Sequence, residues 1–106
     1  MSHDAPYRFS SEQLMQILDQ SSIYMCACPA QVVSQILELR KLHRYQLDCM
    51  REASAPLDTH RCIALAAQSA HALLEDALDE VLRIEGWDRD TLTMPAGLRA
   101  LRDSQL

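Results

Sequence analysis

Residues 58–87, DTHRCIALAAQSAHALLEDALDEVLRIEGW, decide the fold. The run holds no proline, and no glycine before Gly86, while its apolar residues recur at helical spacing. Placing each residue 100° after the last puts Ile63, Ala67, Ala70, Leu74, Leu78 and Val81 on one stripe. Cys62, Ala66, Leu73, Ala77 and Ile84 flank it and widen the apolar arc to about 200°. The pattern predicts a helix over 58–85, roughly 42 Å long at the α-helical rise. Asp58 is the expected N-cap and Gly86 the left-handed terminator, with Trp87 folding back onto Leu82.

Upstream, Ser54-Ala55-Pro56 interrupts the chain, and a second long helix is expected over 29–53. Pro29 suits its first turn, where the missing N–H would have no partner in any case. Val32, Ile36, Leu39, His43, Leu47 and Met50 share a stripe about 80° wide. Two long helices joined by about four residues predict an antiparallel helical hairpin. A shorter helix over 11–20 follows the capping-box pattern Ser10-x-x-Gln13 and turns Leu14, Ile17 and Leu18 to one side. Residues 1–9 read as an irregular lead-in, and 87–106 as a tail with a short helix near Leu98 and Leu101. The expectation is a single all-α domain.

Composition agrees. The 106 residues include 29 leucines and alanines but only two glycines, against the turn-rich make-up of an all-β chain. A net charge of −5 removes any generic attraction to nucleic acid or anionic membranes. No apolar run has the length of a membrane span, and the first residues lack the basic-then-apolar run of a signal peptide. A cytoplasmic protein with reduced thiols is expected. Phosphate-binding glycine loops, GxSxG, HExxH and paired CxxC patterns are missing, so turnover would have to come from reactive thiols.

The surplus arc on the 58–85 helix bears on function. One partner helix covers only part of it. A second copy completing a four-helix bundle would bury the rest, with Ala66, Ala70, Leu73 and Leu74 at the interface and alanines permitting close approach. Alternatively the short helices fold over the hairpin and close a monomeric core. The expected function is protein–protein contact, as a homodimer and as an adaptor or regulator for a protein partner. Arg40-Lys41, Arg44 and Arg51 make a basic edge, and Glu75, Asp76, Asp79 and Glu80 an acidic one. Both read as solvated faces.

The rival reading is a thiol, metal-binding or redox-sensing protein centred on Cys26-Ala27-Cys28-Pro29. A helix N-terminus favours thiolates, so Cys26 and Cys28 are candidate ligands for a transition metal, although the sequence requires none. His43, on an apolar stripe, and His71, one turn before Glu75, are further candidate ligands, but bundle metal sites need several converging groups. Cys49 and Cys62 read as small packing residues near the turn.

The string 23–36 resembles the opening of bacterioferritin-associated-ferredoxin-type [2Fe–2S] domains, through its aromatic residue, Cys26, Cys28, Val32 or Val33, and Ile36. That family closes its cluster with Cys-x-x-Cys, whereas Cys49 and Cys62 stand 13 positions apart. The cofactor is not carried over. Residues 58–82, through Arg61-Cys62-Ile63, Gln68 and Ala70, resemble the second helix of small copper- and formaldehyde-responsive repressors. Their copper-binding members carry His-x-x-x-Cys, where this chain has His71 and Glu75.

Overall fold

A computed structural model describes residues 7–21, 28–52 and 56–95. Cys26, and the expected short helix near Leu98 and Leu101, lie outside them. The described chain is helical: α1 (Ser11–Ser21), α2 (Cys28–Cys49) and α3 (Leu57–Glu85). The two long helices pack against each other, and α1 packs against α2.

The capping box forms in full. Ser10 Oγ accepts from the Gln13 amide at 3.0 Å, and Gln13 Oε1 accepts from the Ser10 amide at 2.8 Å. This starts α1 with Leu14 and Ile17 facing the core. α2 stops at Cys49, short of the expected residue 53. Past Met50 the amides of Arg51 and Glu52 turn back three residues, to Asp48 and Cys49, tightening the chain into exposed polar residues.

Pro56 precedes α3 in extended backbone, and its carbonyl accepts from the His60 amide at 3.2 Å. Asp58 therefore lies in the first turn and does not cap, although its charge still suits the positive helix end. At the other end Gly86 adopts φ 78°, and the Trp87 amide donates to the Leu82 carbonyl at 2.9 Å. The αL ending forms as expected. A Cβ on Gly86 would meet only Pro95 Cγ at 4.0 Å, so the cost of a side chain there is conformational. Gly86→Ala should therefore destabilise by about 1–2 kcal/mol, read as a lower urea midpoint at unchanged slope.

Phe9, Leu14, Ile17, Val33, Ile36, Leu78, Leu82, Trp87, Leu92 and Met94 make the core. After Gly86 the chain folds over the end of α3. Asp88 Oδ1 accepts from the Asp90 and Thr91 amides, which hold this carboxyl below its usual range, the Thr91 bond contributing most. The Met94 amide reaches Gln20 Oε1 of α1 at 3.2 Å.

The buried stripe of α2 differs from the expected one. Val33, Ile36 and Arg40 are buried, while Val32, Leu39, His43 and Leu47 are half-buried. The inward face is thus turned by roughly 50° on the 100° rule. Two neighbours account for this: α1 packs on that side of α2, and residues 7–10 cover Arg40.

Candidate functional site

The most unusual chemistry lies where α2, α3 and residues 7–10, here called the strap, meet. Three polar residues are buried there: Arg40 from α2 at 8% exposure, with His71 at 8% and Glu75 at 3% from α3. Buried charges are costly unless they are paired and hydrogen-bonded. Here nearly every group has a partner.

Glu75 Oε2 accepts from the amides of Arg8 at 3.0 Å and Phe9 at 3.1 Å, and from Arg40 Nη2 at 3.3 Å. The same Nη2 donates to the Phe9 carbonyl at 2.7 Å. Arg40 Nε donates to His71 Nε2 at 2.9 Å. His71 Nδ1 stands 3.5 Å from Glu75 Oε1. The Tyr7 ring covers the guanidinium 3.9 Å from its carbon and packs against His71 at 4.8 Å between centroids.

Further out, Arg8 pairs with Asp76 at 2.7 Å. Asp79 receives Arg89 at 2.7 Å, and Arg89 in turn lies over the Phe9 ring. The strap is thereby fixed at its backbone and at its side chains.

This contact also sets the protonation of His71. An arginine Nε can only donate, so Nε2 must present a lone pair, and the ring is neutral with its proton on Nδ1. Burial pushes the His71 pKa below its usual value. Glu75 opposes that shift, while Arg40 and His43 reinforce it. Beside the ring is a cavity of about 20 Å³, lined by Tyr7, Leu39, Arg40, His43, Ala67, Gln68 and His71. That is room for about one water molecule.

The expected site residues separate. His43 is half-buried and lines the cavity with Ala67 and His71. Cys28 is exposed at the first residue of α2, over one helix-length from Cys49. Among the described residues no group of three or more His, Cys, Asp or Glu side chains is placed to hold a metal. Cys49 is half-buried, and Cys62 is exposed. Of the expected interface residues, Ala66 is exposed and Leu73 is 69% exposed, Ala70 is half-buried, and Leu74 packs partly on the core.

Two assignments need correction. Arg40 and Glu75 do not belong to solvated edges. Their neighbours Lys41, Arg44, Arg51, Asp76 and Glu80 are exposed as expected. The available signal was register: Arg40 stands seven residues after Val33 and four after Ile36, and Glu75 falls between His71 and Leu78 on one helix face.

Compared with protein-family models, curated proteins and solved structures, the chain matches none, so the two local sequence likenesses gain no support there. No helix among the described residues is long and apolar enough to cross a membrane.

Proposed function

We propose that this chain is a cytoplasmic single-domain helical protein that works by protein–protein contact, and that its first partner is a second copy. In this reading α2 and α3 form an antiparallel hairpin, and two hairpins close a four-helix bundle. The antiparallel order is supported by the pairing of Arg40 with His71 and of Gln46 with His60, since positions rise on α2 as they fall on α3.

One observation carries the dimer. Cys62, Ala66, Leu73, Ala77 and Ile84 lie exposed on α3, with Leu73 at 69% and Ile84 at 68%. On the 100° rule Leu73, Ala66, Ile84 and Ala77 stand roughly 160–200° round α3 from Glu75, the residue that receives the strap. They face away from the side that the strap covers. Half-buried Ile63, Ala70 and Val81 continue the patch towards the core, and small alanines let a second helix approach closely. A contiguous apolar strip of this kind on a charged protein marks an association surface.

Cys62 reports on that surface. At rising protein concentration its alkylation should slow as the strip is covered, and Leu73→Glu should abolish the slowing. A Cys62 rate independent of concentration in the wild type would sink the dimer reading. The thiol or metal reading of Cys26 and Cys28 draws on the exposure of Cys28 in the first turn of α2. It gains if the reduced protein retains a transition metal in its native mass.

A further inference from the structure

We propose that Arg40, His71 and Glu75 form a pH-operated latch, closed on the strap while His71 is neutral and released when the ring takes a second proton. The inference stands apart from the dimer, because it concerns the opposite side of α3.

The geometry leaves one place for that proton. Nδ1 already carries one, so the second must come from solvent to Nε2, where Arg40 Nε–H points from 2.9 Å away. Two donors would then face each other, and two positive groups would share a site in which both residues are 8% exposed. The groups around the ring decide the balance. α2 contributes Arg40 and His43, α3 contributes the Glu75 carboxylate and neutral Gln68, and the strap contributes the uncharged Tyr7 ring. Glu75 is the one anion among them, and Arg40 already neutralises it. Protonation adds an uncompensated charge in low dielectric.

The effect reaches the strap because Arg40 is bifunctional. The guanidinium whose Nε meets His71 also holds the Phe9 carbonyl and shares Glu75 Oε2 with the Arg8 and Phe9 amides. Relieving the clash by turning Arg40 breaks its bond to the Phe9 carbonyl and takes the counter-charge from Glu75, the carboxylate that holds the Arg8 and Phe9 amides. Turning His71 instead opens the contact with Tyr7. Turning Arg40 therefore loosens both Phe9 and Tyr7, whereas turning His71 loosens Tyr7.

The sign follows from linkage. A histidine whose closed-state pKa lies below its open-state value binds more protons when open. The contribution of neutral His71 to closure is therefore fully present above about 6.5, the ordinary imidazole value, and weakens as pH falls from there towards the depressed value. Within that window the closing constant should drop about tenfold per pH unit, the slope for one proton.

Nuclear magnetic resonance on the isotope-labelled full chain tests this between pH 7.5 and 5. At neutral pH the ring spectrum should show the proton on Nδ1 alone. The Arg8 and Phe9 amides, corrected for intrinsic exchange, should lose protection in step with the His71 titration. His71→Gln keeps an acceptor for Arg40 but cannot titrate, and should hold its protection across the range. A proton on Nε2 at neutral pH, or protection unchanged while His71 titrates, would overturn the latch. So would equal loss of protection in His71→Gln. If that variant fails to fold, agreement between the wild-type ring and amide midpoints decides alone.

Discussion

Glu75→Leu is expected to destabilise the fold by about 3–5 kcal/mol, the range found when one partner of a buried ion pair is removed. The substitution leaves the Arg40 guanidinium buried without its counter-charge and strips the acceptor from two strap amides. Against the roughly 5–15 kcal/mol that stabilises a small domain, that is a large fraction. Removing both charges should hurt less. In Arg40→Leu/Glu75→Leu no lone buried charge remains, so the double variant should recover part of the loss, a non-additivity typical of contacting residues. Urea unfolding of the wild type, both single variants and the double variant measures the coupling. Additive losses would mean that the pair is not coupled as its 3.3 Å contact implies.

Phe9→Ala should cost about as much, roughly 3–5 kcal/mol, by leaving a cavity where a fully buried ring packs on the core. Phe9 lies two residues before α1, and its backbone is held from both sides by Glu75 and Arg40. Truncation should therefore loosen the Arg8 and Phe9 amides more than the middle of α3, which amide exchange reads residue by residue. A loss under about 1 kcal/mol would show that the strap adds little to the core.

Phe9 also marks the boundary of what the sequence discloses. Periodicity and capping chemistry are local, so the Ser10–Gln13 box, the Gly86 ending with the Trp87 return, and the inward face of α1 could all be read from spacing. The inward face of α3 could not: it buries Ala64, His71, Glu75 and Leu82 beside Ala67 and Leu78. The expected Ile63, Ala70, Leu74 and Val81 are left half-buried, a turn of roughly 65° on the 100° rule. A single aromatic ahead of a helix has no period, and residues 1–9 therefore read as an irregular lead-in although Phe9 is fully buried. Arg40 and Glu75 were hidden for a related reason. Each stands beside another charge, Lys41 or Asp76, and the register that points to Arg40 decides only once Val33 and Ile36, rather than the stripe through Leu39 and His43, are known to face inward. That depends on which side of α2 the strap and α1 cover, a tertiary fact. His71 stands out in the sequence as a candidate ligand, and its partners in the structure are an arginine and a carboxylate, with Arg40 Nε donating to Nε2. α2 ends before residue 53 because Arg51 and Glu52 are helix-compatible yet exposed, with nothing apolar to bury.

The uncovered strip of α3 supports the central claim, that this protein acts by contact and first with itself. Sedimentation equilibrium of wild type and Leu73→Glu, over low to high micromolar concentration, tests it most directly. Leu73 is 69% exposed in the single chain, so a glutamate there should leave the fold intact, within about 0.5 kcal/mol by urea unfolding. The account predicts a wild-type mass of two chains that returns to one on dilution, and one chain for Leu73→Glu throughout. A wild type that sediments as a single chain at high micromolar concentration would contradict it.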